Sequence, residues 1–132
     1  MKKQSKVLSA VLTVALAISM TSVCFAEGKT FEKRSVDSNT FVSVTGYTKT
    51  QTSGTADVKI TEIYKADGSA SNYKKVYAKV NRDGAEKSIE KGTEDILDIP
   101  ANAQGKGTVI FLYCKGNNPS LDCQVSGWFD GH

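Results

Sequence analysis

The 132-residue chain has one histidine, His132, at its last position, together with two prolines, one tryptophan and three cysteines. Each shortage excludes something. Ser-His and Cys-His hydrolysis needs a held imidazole, and one at a chain end, where backbone tends to fray, is a poor base. A zinc site needs a larger set of His and Cys ligands than the sequence offers. The Asp-x-Asp-x-Asp-Gly calcium loop is absent. Glu94, Asp95 and Asp98 flank Ile96 and Leu97, which reads as an acidic edge beside an apolar pair. The segment Gly105-Lys106-Gly107-Thr108 lacks the first glycine of a phosphate loop and has Gly107 where that loop requires Ser or Thr. The expectation is a protein that is not an enzyme and uses no metal and no cofactor.

Long apolar runs are also missing. The longest, residues 7–20, falls short of the roughly 20 residues of a membrane-spanning helix. It follows Lys2, Lys3 and Lys6, and it precedes Cys24-Phe25-Ala26, whose first and last residues are small. A basic region, an apolar region and small residues at −3 and −1 form a signal peptide, residues 1–26, cleaved before Glu27. Lipidation of Cys24 fits poorly, because Thr21, Ser22 and Val23 precede it. Neither a stable membrane anchor nor a cell-wall sorting motif is visible. The expected protein is therefore bacterial and secreted, with an extracellular location.

Excess positive charge disappears with that leader. It holds three of the 17 basic residues and none of the 14 acidic ones, so 14 face 14 in the remainder. A neutral chain is a poor nucleic-acid binder, since phosphate neutralisation needs a positive surplus. Lys74, Lys75 and Lys79 interleave with Tyr73 and Tyr77, but lysines on a strand face also guard against edge-to-edge aggregation.

After the leader, residues 27–39 are polar apart from Phe31 and Val36 and read as a flexible lead-in or a loosely docked edge. From residue 40 to 132 short β-prone runs alternate with Gly, Asn, Asp and Ser clusters, as in an all-β domain. No helical apolar period persists. Runs at 41–47, 55–64, 73–80, 86–91, 95–100, 108–114 and 121–129 suggest a small antiparallel β-sandwich of about six or seven strands, Ig-like or jelly-roll-like. Ala56, Val58 and Ile60 share one face, as do Val76, Ala78 and Val80, while Asp83-Gly84 marks a hairpin turn. The run Thr-Val-Ile-Phe-Leu-Tyr-Cys at 108–114 is apolar on both faces, as in a strand buried between two layers.

The connection 115–120, Lys-Gly-Asn-Asn-Pro-Ser, is rich in turn residues, so the last two runs are expected to form a hairpin with Cys114 opposite Cys123. In an exported chain such an even pair predicts a disulfide, here a hairpin disulfide.

Outward aromatic side chains can stack on sugars or anchor a protein. Tyr73, Tyr77 and Trp128 fall on the outward phase of their strands and are the candidate ligand-binding residues. The expected function is binding of a protein or glycan ligand at the cell surface or in the medium. The alternative is a secreted effector, an enzyme inhibitor or a bacteriocin-like antimicrobial protein, which would present Asn117, Asn118 and Pro119 on a loop stapled at its base.

Overall fold

Runs that alternate apolar and polar residues satisfy their backbone and bury one face only when they pair in a sheet. The computed structural model describes residues 28–118 and 121–132. In it these runs become β1 (Lys29–Val36), β2 (Val42–Thr48), β3 (Thr55–Lys65), β4 (Lys75–Val80), β5 (Lys87–Glu90), β6 (Glu94–Asp98), β7 (Val109–Gly116) and β8 (Cys123–Asp130). One 3-10 turn, Ala101–Ala103, follows Pro100. The eight strands form two four-stranded antiparallel sheets, β1-β8-β3-β6 and β2-β7-β4-β5, packed as a sandwich.

The pairings have a simple order. β1 pairs with β8, β2 with β7, β3 with β6 and β4 with β5, as if one antiparallel ribbon were folded back at the 81–86 turn. Rolling that ribbon adds the contacts β3 to β8 and β4 to β7, which complete each sheet. Among consecutive strands only β4 and β5 are hydrogen-bonded neighbours; every other connection passes from one sheet to the other.

Both inner faces are apolar. Phe31, Val58, Ile60, Ile63, Val125 and Phe129 from the first sheet share a continuous core with Tyr47, Val76, Val80, Ile89, Ile110 and Leu112 from the second. The Tyr47 and Phe129 rings meet edge to face across the sheets at 6.3 Å, the geometry the ring quadrupoles favour.

Three sequence expectations are corrected. Of the two readings of the segment after the expected leader, the docked edge holds and the flexible lead-in does not: residues 29–36 form β1, the edge strand beside β8, with Phe31 and Val36 buried in the core. They supply the eighth strand, and two apolar anchors with the right phase suffice because β8 provides the backbone partners. The last two strands do not form a hairpin: β7 pairs with β2 and β4, and β8 with β1 and β3. Cys114 and Cys123 are consequently buried thiols in opposite sheets, unbridged in this structure, rather than a cross-strand pair. Finally, β7 is not buried on both faces. Ile110, Leu112 and Cys114 point inward, whereas Val109 and Phe111 are 50% and 41% exposed. The expected leader, residues 1–26, lies outside the described residues.

Where β8 crosses the middle of its sheet, the backbone of β3 comes so close that only glycine fits. A Cβ on Gly127 would stand 2.1 Å from the Lys59 carbonyl oxygen and 3.0 Å from Cζ of Phe31. Relief would require the central β3 and β8 ladder to separate. Gly127→Ala should therefore destabilise the fold by about 1 to 3 kcal/mol, the range for overpacking, whereas Gly105→Ala, whose Cβ would touch only Thr108 Oγ1 at 3.6 Å, should change little. Urea denaturation of the two variants measures this; equal midpoints would show that the β3 and β8 backbones are not in that contact.

Candidate functional site

The structure separates the three aromatic residues singled out in the sequence. Trp128 does alternate outward, but from the first sheet, between Thr30 of β1 and Lys59 of β3, with Gly28 packed against its ring. Tyr77 points outward from the second sheet, on the opposite side of the sandwich. Tyr73 lies ahead of β4 and is half-buried, packed against the core. It lines a cleft of about 180 Å³ at the loop end, with Ile63, Lys74, Asn117, Leu121 and Cys123. Strand phase could assign in and out for each residue, but not which sheet its strand would join.

The loop of the effector reading also changes character. Asn117 and Asn118 are exposed, and Pro119 lies outside the described residues. The connection crosses between sheets instead of capping a hairpin. Its ends are held by Gly116 N–H donating to the Asp37 carbonyl at 2.9 Å and by Asp122 Oδ1 accepting from Ser38 N–H at 2.9 Å.

A different surface gathers the exposed aromatic character. On the outer face of β2-β7-β4-β5, Tyr77 stands opposite Lys115 and Lys79 opposite Tyr113, so Tyr and Lys alternate in both directions. Phe111 pairs with Gly46, and its ring leans over that residue: a Cβ there would lie 3.0 Å from Phe111 Cε1. Asn81, with φ of 58°, turns its side chain back, so that Oδ1 accepts from Phe111 N–H at 2.9 Å while its own N–H donates to the Phe111 carbonyl at 2.8 Å. That clasp fixes the strand beneath the exposed ring. Phe41, just before β2, lies under two ammonium groups, 4.4 Å from Lys79 Nζ and 4.9 Å from Lys115 Nζ. Lys115 Nζ is also 5.5 Å from the Tyr77 ring.

The residues missed were therefore Phe41, Val109, Phe111, Tyr113 and Lys115. For Val109, Phe111 and Tyr113 the signal was present in the doubly apolar 108–114 run; for Phe41 and Lys115, outside it, that run gave none. A two-layer sandwich can bury only one face of a strand, so the second apolar face has to be surface.

Two other places hold reactive groups. Cys123 borders the cleft beside Tyr73 and a second one of about 280 Å³ containing Ser35, Asp37, Val42 and Asp122. Burial, with the Asp122 charge as a smaller contributor, pushes its thiol up to about 11. Cys114 is pushed higher still, by complete burial and then by the neighbouring Cys123. Thiols in that condition are weak nucleophiles.

At the opposite end of β8 the chain terminus is clamped, not frayed. His132 Nε2 sits 3.0 Å from Asp57 Oδ2, its N–H donates to Asp130 Oδ1 at 2.8 Å, and its carbonyl accepts from the Thr50 and Gln51 N–H groups. Lys49 is buried beside it, with Nζ donating to the Gly131 carbonyl at 2.6 Å. Because Cys123 opens β8 and Asp130 closes it, imidazole and thiols are a full strand apart. Among the described residues no group of three or more His, Cys, Asp or Glu is placed to hold a metal ion, and no helix is long and apolar enough to cross a membrane.

Comparison with protein-family models, with curated proteins and with solved structures finds no match to this chain.

The Lys49 clamp carries a pH signature. Burial lowers its pKa from the ordinary 10.5, and the Asp130 charge offsets part of that effect. Between the lowered value and 10.5 the unfolded chain binds more protons than the folded one, so this lysine's contribution to stability rises with pH across that window. Denaturation of wild type and Lys49→Met from neutral pH to about pH 10 should show the wild type gaining relative to the variant as pH rises. A difference that stays flat or shrinks would mean that Lys49 is not buried as a cation.

Proposed function

We propose that this chain is a secreted bacterial binding protein that performs no chemistry, needs no cofactor, and engages a protein or glycan ligand through the outer face of β2-β7-β4-β5. One observation carries the reading. Val109 and Phe111 are exposed beside Tyr113, Tyr77 and Phe41 on a single sheet face, where apolar side chains give the fold no core burial. An exposed apolar patch rimmed by polar groups marks an interaction surface. The reading includes extracellular location, with neither a nucleic-acid partner nor a membrane anchor, on the strength of the leader and the neutral charge balance.

The ribbon-like pairing supports a finer reading of the sandwich as a jelly roll, eight strands in two Greek keys. Within it we infer that Cys114 and Cys123 become joined across the sheets in the exported protein. The two thiols would pass two electrons and two protons to the disulfide of an extracytoplasmic thiol-disulfide oxidoreductase. Supporting this are their inward positions at one end of the sandwich and the electrostatic influence of one thiol on the other. Since burial suppresses thiolate formation, bridging belongs to the stage before the core closes.

Intact-mass analysis of protein recovered from the medium should give a chain starting at Glu27, two hydrogen masses below the reduced form. Reduction should lower the thermal midpoint by several degrees, because about 1 kcal/mol corresponds to roughly 4 to 8 °C for a domain near this size. An acylated chain beginning at Cys24 would refute export as a free protein, and two thiols titrated in denaturant would refute the bridge.

Binding is tested by glycan-array and pull-down assays. Tyr77→Ala or Phe111→Ala should weaken capture by tenfold or more, since losing a central aromatic anchor commonly costs about 2 kcal/mol. Trp128→Ala, on the other sheet, should bind as wild type. The reverse pattern would move the site to the first sheet, and loss through Asn117→Ala or Asn118→Ala alone would favour the effector reading, for which exposed Leu121 beside the cleft is the supporting feature.

A further inference from the structure

The outer face of the second sheet carries charge as well as aromatic rings, and the charge is uncompensated. Lys79 and Lys115 are diagonal neighbours on β4 and β7, since Lys79 faces Tyr113 and Lys115 faces Tyr77. Both ammonium groups rest on the one ring of Phe41. The ion pairs among the described residues engage Lys87, Lys91 and His132, and neither of these two lysines. Lys79 has one donor committed, to the Arg82 carbonyl at 2.7 Å. The remaining outward positions of β2 and β7, Ser43, Gly46, Thr48, Val109, Phe111 and Tyr113, hold no carboxylate. On β5, Glu90 stands in register with Lys75 and makes no ion pair with Lys79 or Lys115.

The face is thus a neutral aromatic strip around a doubly cationic centre. A ring quadrupole attracts each ammonium by about 0.5 to 1 kcal/mol at an exposed site, without cancelling its charge or the repulsion between the two. An anionic group set between them would relieve that repulsion and accept charge-assisted hydrogen bonds.

We propose that the ligand of this face is an acidic polysaccharide, with a uronate carboxylate held between Lys79 and Lys115 and neighbouring sugar rings stacked on Tyr113, Tyr77 and Phe111. This rests on the preceding assignment of the face as the binding surface and adds the chemical class. Charge complementarity selects the anion, and the small number of cations selects one charge per sugar over a polyphosphate, which requires a broad positive field. Phe111, Tyr113 and Tyr77 lie side by side on one outward face, so that successive sugar rings can stack along it.

The exported protein would be titrated with polygalacturonate, its methyl-esterified form, dextran, a single-stranded oligonucleotide and an acidic polypeptide, at low and high salt. Polygalacturonate should bind, esterification should abolish binding, and salt should weaken it. The Lys79→Gln/Lys115→Gln double variant should lose at least tenfold in affinity, and Lys79→Arg/Lys115→Arg should keep most of it, which separates charge from folding. Equal binding of dextran or the esterified polymer, indifferent to the Gln variants but lost with Tyr77→Ala or Phe111→Ala, would overturn the anionic assignment and leave the face standing. Polygalacturonate binding indifferent to all of these variants would overturn the face itself. Preference for the oligonucleotide or polypeptide, or binding to none of the polysaccharides, would overturn the glycan assignment.

Discussion

The structure depends on the mutual burial of two sheet faces that have nothing else to bury against. A sheet with one apolar face is unstable alone in water, and a chain of this size can build only one partner layer for it. Phe31, Val58, Ile60 and Phe129 on one side and Tyr47, Val80, Ile110 and Leu112 on the other therefore form one core, shared so closely that Tyr47 and Phe129 touch across it. The same constraint limits what can be hidden. With two layers there are two inner faces and no third, so any apolar residue in the outward phase is left to water. That is why Val109 and Phe111 form a surface, and why that surface calls for an explanation beyond folding.

Closure at the ends is polar and specific. At one end Lys49, Asp57, Asp130 and His132 secure the terminus through backbone and side-chain contacts, although a buried lysine is an expensive way to donate one hydrogen bond. At the other, Asp122 and Gly116 tie the inter-sheet connection to the segment after β1. Edge strand β1 is held by this arrangement as well as by its ladder with β8, and Lys33 N–H adds a bond to Ser126 Oγ where the register shifts. The two thiols sit at the Asp122 end, Cys114 fully buried and Cys123 bordering both clefts, and burial raises the pKa of each.

The outer face of β2-β7-β4-β5 owes its form to the same framework. Gly46 leaves space for the Phe111 ring, Asn81 clasps the Phe111 backbone, and the pairing of β4 with β7 puts each lysine opposite a tyrosine.

Much was legible from the residues alone. Alternation is a local property of period two, so Ala56, Val58 and Ile60, or Val76, Ala78 and Val80, could be placed inward, Tyr77 and Trp128 outward, and the domain recognised as an all-β sandwich. Partner choice is not local. A connection such as 117–122 can close a hairpin or cross between layers at nearly the same loop entropy, and the decision rests on which distant strand buries more apolar surface. Only the tertiary structure decided that β7 and β8 belong to different sheets, that Cys114 and Cys123 are buried on different sheets, and that Tyr77 and Trp128 look out from opposite sides. It likewise made a strand of the sparse 29–36 segment, because the open edge of β8 supplied hydrogen-bond partners that no feature of that segment announces.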